Sequence, residues 1–165
     1  MPTRSPTGSA RAGEPPARAY LRAGDLPDLN VWIALSVDNH VHHARALRYW
    51  REEGVRARAI HFCRHTMLGY LRLLSQPKLM GAAACSPSQA AARYAALRAL
   101  PEVALALEPP ACEAVFLEFA RAPGFSARLW SDAYLAAFAR CAHLRLVTFD
   151  SDFARFEGLD CLRLE

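Results

Sequence analysis

The residues best equipped for chemistry are the aspartates Asp28, Asp132 and Asp150. Asp150 closes a short apolar run, Leu144 to Phe149, that reads as a buried strand, and Asp152 follows two residues later. Asp132 lies in a helical pattern in which Trp130, Tyr134, Ala137, Phe138 and Cys141 form one apolar side. It shares another face with Leu135, Ala136 and Ala139, so its carboxylate points among apolar neighbours and needs a compensating partner. Asp28 ends a very short strand-like piece and precedes Asn30 and the apolar run Val31 to Leu35. Taken singly, each has a structural explanation. Asp132 suits the first turn of a helix, and Asp150 suits a cap on the turn from Ser151 to Phe156. Taken together they suggest a site, because ligands of parallel α/β sheets bind outside the carboxyl ends of the strands, and two strands here end in aspartate. Clustered carboxylates suit a hard cation.

These side chains have to be positioned by alternating strands and helices. A first strand runs into a helix between Leu26 and Ser36, and Asp38, Asn39 and His40 break the pattern. A second helix follows from about Val41 to Glu53, with Val41, Ala44, Leu47 and Trp50 on one face and Gly54 as its stop. His40, His42 and His43 open it as a solvated helix start, since zinc-binding helices need ligands three or four residues apart. Arg56 to Phe62 makes a second strand. A helix from Arg64 to Ser75 follows, with Leu68, Leu71 and Leu74 toward the core, and Pro77 closes it. After a small-residue loop, Ser86 and Pro87 start a helix that continues to Leu100. Val103 to Leu107 is a third strand, Cys112, Val115, Phe116 and Phe119 form a helical stripe, and Cys161 to Leu164 adds an edge strand. The alternation predicts an α/β domain with a parallel sheet and helices on both faces.

Composition narrows the class. With 165 residues, 53% of them apolar, the chain is long enough for one domain with a real core, and it has no apolar stretch suited to a membrane. The N-terminal residues 1–24 are rich in proline, glycine, serine and arginine without apolar periodicity, which predicts a disordered tail ahead of a folded domain at 25–165. That tail carries most of the net charge of +4, so the nearly neutral body gives little reason to infer nucleic-acid binding from charge alone. The five cysteines are scattered and lack a Cys-x-x-Cys pair, which suggests reduced thiols in a cytoplasmic protein.

Four segments in order carry a resemblance: Pro27 to Val31, then Thr66 to Arg72, then Trp130 to Ala136, then Thr148 to Phe153. Together they resemble PIN-domain nucleases of the VapC toxin type over roughly residues 25–164. The resemblance implies a three-layer α/β/α domain with a central parallel sheet. It also implies an endoribonuclease dependent on Mg2+ or Mn2+, acting as the toxin of a toxin–antitoxin pair, restrained by a cognate antitoxin and commonly homodimeric. Carried over by position, Asp28, Asp132 and Asp150 match the acidic residues that hold metal and serve catalysis. Asn30 matches the polar residue supporting the first acid, Asp152 is an auxiliary acid, and Arg72 matches an arginine that orients an acid or contacts phosphate. One position departs: where the family has a glutamate, this chain has Met67, whose thioether is too soft for Mg2+. Three carboxylates with waters could still hold that ion, which keeps several waters.

Arg64, Arg72 and Lys78 are candidates to fix an RNA backbone without reading its sequence. Trp130 and Tyr134 fit core packing better than base stacking, given their apolar stripe. Two other classes compete. A receiver-type signalling domain also gathers aspartates at strand ends, but needs a lysine at a late strand end, and the only lysine is Lys78. A catalytically silent PIN domain that only binds RNA or an antitoxin is the stronger alternative, because Met67 replaces a family acid.

Overall fold

A computed structural model describes residues 24–54 and 59–165. The expected tail therefore lies outside the described residues, except that Gly24 already belongs to the first strand, and the start of the strand expected from Arg56 also lies outside them. Five strands form: β1 (Gly24–Pro27), β2 (Ala59–Phe62), β3 (Val103–Leu105), β4 (Arg145–Thr148) and β5 (Cys161–Arg163). They make one sheet in the order β3-β2-β1-β4-β5, with every neighbouring pair parallel. The central strand β1 is buried throughout, as a strand covered on both faces must be. From β1 the chain builds outward through β2 to β3, then returns to lay β4 on the other side of β1 and β5 beyond it. The order thus reverses between β1 and β4, where Asp25 pairs with Arg145, Leu26 with Leu146 and Pro27 with Val147.

The helices are α1 (Leu29–Ser36), α2 (His43–Tyr49), α3 (Arg64–Leu74), α4 (Pro77–Met80), α5 (Pro87–Arg98), α6 (Cys112–Ala120) and α7 (Trp130–Cys141), and a π-helical turn, Trp50–Gly54, extends α2. Local chemistry sets several starts. Asp28 caps α1, Ser86 and Gln89 form a capping box at α5 with Pro87 in the first turn, and Cys63 and Thr66 form one at α3. Short 3-10 turns, Ala127–Leu129 and Ser151–Arg155, lead into α7 and out of β4.

Two cores sandwich the sheet, which is the expected three-layer arrangement. On one face Trp32, Ile33, Ile60, Phe62, Tyr70 and Leu74 pack together, with Trp32 stacked on Phe62 at 3.8 Å between ring centroids. On the other, Leu26 and Leu146 meet Ala133, Ala136, Ala137, Phe138 and Ala139 of α7 and Phe119 of α6. The small side chains on α7 let it lie close to its neighbours. Gly69 plays a similar part on α3, since a Cβ there would come within 2.7 Å of Leu29 Cδ2.

Three expected faces are corrected. On α2 the buried residues are Ala46 and Tyr49, while Val41 and Ala44 are exposed. On α3 Leu74 is buried and Leu71 half-buried, but Leu68 is 62% exposed. On α7 Trp130 is 47% exposed instead of lying in the core. The third strand also ends at Leu105, before Leu107 reaches solvent.

Candidate active site

The reversal point puts the ends of β1 and β4 side by side, and both lead directly into acidic residues. Asp28 follows β1 and starts α1; its backbone N–H donates to the Val147 carbonyl (2.8 Å), fastening it to β4. Its carboxylate accepts from the Leu29 N–H at Oδ1 (2.6 Å) and from the Thr148 hydroxyl at Oδ2 (3.0 Å). Thr148, the last residue of β4, is fully buried and works as a hub. Its oxygen also accepts from Asn30 Nδ2 (3.1 Å) and from the Asp150 N–H (3.0 Å). A hydroxyl offers one proton and two lone pairs, and here all three are used, so the proton goes to Asp28. Asn30 closes the circuit by accepting from the Phe149 N–H at 3.4 Å.

Asp132 comes from the first turn of α7, so the dipole reading of this residue is correct as far as it goes. It also shares a field with the strand-end acids. Burial raises its pKa, and the charges of Asp150 and Asp152 raise it further, while Arg128 and Arg155 oppose them. Asp28 shows the same pattern more strongly. Burial pushes its carboxyl up to about 6, against the hydrogen bonds from Leu29 and Thr148, and Asp132 and Asp150 add to the rise. Asp150 caps its turn by accepting from the Asp152 N–H at 2.8 Å. Asp152 is held by Arg128 (3.4 Å) and Arg155 (3.6 Å), which ties the entry to α7 to the exit of β4.

The structure therefore brings Asp28, Asn30, Asp132, Asp150 and Asp152 together at the end of the sheet where β1 and β4 meet. It does not tie the other sequence candidates to them. Arg64, Arg72 and Lys78 are exposed on α3 and α4, and among the described residues no hydrogen bond or ion pair joins them to these acids. Met67 is half-buried and packs against the Trp32 and Phe62 core, with Arg64 Nη1 4.0 Å from its sulfur. Two features escaped the sequence reading. Thr148 was legible only as a polar residue ending an apolar strand, and a buried hydroxyl needs partners. Asp25, fully buried, is held by Arg145 through both oxygens (2.9 and 2.8 Å) and by the Tyr49 hydroxyl (2.9 Å). That carboxylate is engaged by these partners on both of its oxygens.

A hard divalent cation fits this donor set in chemistry and charge. The side chains brought together are oxygen donors, and burial first, with neighbouring like charges adding to it, raises the pKa of both Asp28 and Asp132. Preformed coordination is another matter: among the described residues no three His, Cys, Asp or Glu side chains are grouped tightly enough to hold a metal ion.

Comparison with known proteins gives the family and the fold. The PIN domain family model matches residues 26–159. Ribonuclease VapC41 of Mycobacterium tuberculosis is 41% identical over 143 residues, covering 84% of this chain and 97% of that protein. Among solved structures, Mycobacterium tuberculosis VapC20, described as a sarcin-ricin loop cleaving toxin, has a TM-score of 0.61 at 21% identity, covering 83% of this chain and 99% of that one. VapBC2 from Rickettsia felis, bound to a DNA fragment from its promoter, has a TM-score of 0.62 at 12% identity, covering 86% and 98%. At those identities the two structures establish the fold, and the closer sequence relative narrows the kinship. The chain belongs to the PIN-domain family, and among its members to the VapC-type ribonucleases.

Proposed function

We propose that this protein is a Mg2+- or Mn2+-dependent endoribonuclease that hydrolyses RNA phosphodiester bonds as the cytoplasmic toxin of a toxin–antitoxin pair. The observation that supports it most is the shared field of Asp28, Asp132 and Asp150 at the switch point of the sheet. Asp28, Asp132 and Asp150 would hold the cation, with Asp152 behind them. Asn30 and Thr148 fix the orientation of Asp28, so the carboxylate is presented without searching among rotamers. A bound divalent ion supplies charge that polarises the scissile phosphate and makes water a better nucleophile. Arg128 and Arg155 keep Asp152 in place, and their positive charge beside the acids suits an approaching phosphate backbone. The antitoxin half of the reading rests on the VapC kinship and on the VapBC2 complex from Rickettsia felis as a neighbour in fold.

The experiment is cleavage of total RNA by the purified chain with Mn2+ or Mg2+, then with a chelator. Cleavage should require the ion, and Asp28→Asn and Asp150→Asn should each lower the rate at least about a hundredfold, as expected for loss of a charge-positioning group. Cleavage that survives chelation, or persists undiminished in both variants, would overturn the assignment. Binding of RNA without any cleavage would leave the chain a binding module.

A further inference from the structure

Asp152 carries two arginines on its carboxylate, and they reach it from different elements. Arg128, in the turn Ala127–Leu129 that leads into α7, brings Nη2 to 3.4 Å from Asp152 Oδ2. Arg155, at the end of the turn that leaves β4, brings Nη2 to 3.6 Å from Oδ1 and donates from Nε to the Asp152 carbonyl at 3.1 Å. The contact continues into the acid cluster, because the Asp152 N–H donates to Asp150 Oδ1 at 2.8 Å. Two guanidinium groups are thus tied through one residue to a carboxylate of the candidate cation site. Both also act on Asp132, whose rise in pKa they oppose.

These pairs are loose. A charge-assisted N–H···O bond closes to about 2.7–2.9 Å, and Arg145 reaches the buried Asp25 at 2.8 and 2.9 Å, whereas both side-chain contacts to Asp152 are longer. They are also open to solvent: the Arg128 side chain is 71% exposed and that of Arg155 38%. Exposed ion pairs of this kind add little to stability. What they do is hold two planar forks close together, and a guanidinium has more N–H donors than these contacts use. A pair of such forks suits a phosphodiester, whose non-bridging oxygens accept charge-assisted bonds from two sides.

We propose that Arg128 and Arg155 form a phosphate subsite, taking the RNA phosphate next to the one at the cation centre, and that Asp152 is the positioning residue that gathers them. This rests on the nuclease reading above and gives that site a second contact with the backbone. The subsite accepts RNA without regard to sequence, because a phosphate carries none. It also leaves Asp152 outside the cation's coordination shell, since both of its oxygens face arginines.

The test uses a labelled single-stranded oligouridylate as the probe, with binding read by anisotropy in the Asp150→Asn chain so that the RNA stays intact. Arg128→Gln and Arg155→Gln should each weaken binding about tenfold, the scale of a hydrogen bond to a charged group, with the melting midpoint unchanged. Arg128→Lys, which keeps the charge, should recover part of that loss. With both arginines replaced by glutamine, the slope of log affinity against log salt should flatten by about 0.7, one phosphate contact on a single strand. A peptide nucleic acid of the same sequence, with bases but no phosphates, should not distinguish the chains. Asp152→Asn should weaken the oligouridylate although it removes a negative charge, and introduced alone it should keep the rise in melting midpoint that Mn2+ gives the wild type. Full affinity in both arginine variants, or a loss found instead in Arg64→Gln or Arg72→Gln, would overturn the proposal. So would tighter binding by Asp152→Asn, or loss of its response to Mn2+. Cleavage by the wild-type chain that Asp150→Asn abolishes, together with indifference to both arginines, would remove the subsite and leave the nuclease reading intact. Arginine-dependent binding in a chain whose wild type cuts no RNA would support the subsite and remove the nuclease reading.

Discussion

At the scale of single residues, Asp28 and Thr148 show how a reactive group is held in an uncomfortable state. The Asp28 carboxyl titrates near 3.8 when the chain is unfolded and near 6 when it is folded. Between those values the folded state keeps a proton that the unfolded state has lost. The contribution of Asp28 to stability without metal should therefore be greatest below about pH 4, fall as pH rises through the interval, and level off above about 6, a change of roughly 3 kcal/mol at most. Denaturant unfolding of wild type and Asp28→Asn across this range checks it: the difference between the two curves should change in that interval and be flat above. Thr148 is the other half of the device. Thr148→Val keeps the shape but leaves Asp28 Oδ2 and Asn30 Nδ2 without their partner, at a cost of about 1–3 kcal/mol in stability. It should also slow cleavage by freeing the carboxylate, whereas Thr148→Ser should stay near wild type in both. A Thr148→Val variant as stable and active as its parent would show that the hydroxyl network orients nothing.

At the scale of elements, α2 and α3 show where apolar periodicity reads correctly and where it does not. The pattern located both helices, but placed the inner face of α2 on Val41, Ala44, Leu47 and Trp50, whereas Ala46 and Tyr49 are the buried pair. The reason is polar anchoring. The His43 ring nitrogen lies 2.7 Å from the Ala34 carbonyl, and the Tyr49 hydroxyl reaches the buried Asp25, so the helix is rotated by contacts that apolar spacing does not register. Trp130 was misplaced for a related reason: a stripe says which residues are apolar, and not how far the neighbouring helix extends to cover them. On α3 Met67 stands where the resemblance led us to expect a glutamate, and the structure packs it against the Trp32 and Phe62 core. A carboxylate there would face apolar side chains, relieved only by Arg64, which lies 4.0 Å from the sulfur. Met67→Glu should therefore cost about 1–2 kcal/mol whether or not Mn2+ is present, with no gain in cleavage. Melting curves with and without the ion, beside an RNA cleavage assay, decide the matter. A loss of stability that Mn2+ reverses, with faster cleavage, would instead put position 67 at the metal site.

At the scale of the whole molecule, the legible part was the alternation of strand and helix and the aspartates at two strand ends. The strand order was not legible, because pairing depends on which helices cover which face. Once β1 and β4 are neighbours, Asp28 and Asp150 come together at one end of the sheet, both bonded to Thr148. The arrangement costs stability when empty, since the acids repel and Asp28 is buried. It follows that a cation should act on the melting of the entire domain. A ligand present at about a hundred times its dissociation constant stabilises the folded state by about 2.7 kcal/mol, and in a domain of this size each kcal/mol moves Tm by about 2–4 °C. Saturating Mn2+ should thus raise Tm by roughly 5–10 °C at pH 7. The gain should shrink below about pH 6, where the ion must displace the proton on Asp28. It should largely vanish in Asp28→Asn and Asp150→Asn, but persist in Glu113→Gln, a change at an exposed acid on α6. Scanning calorimetry of wild type and these three variants across the two pH values separates a specific site from general screening of negative charge. An equal rise in all of them would mean that the ion acts on the surface at large and that the three aspartates do not bind it together.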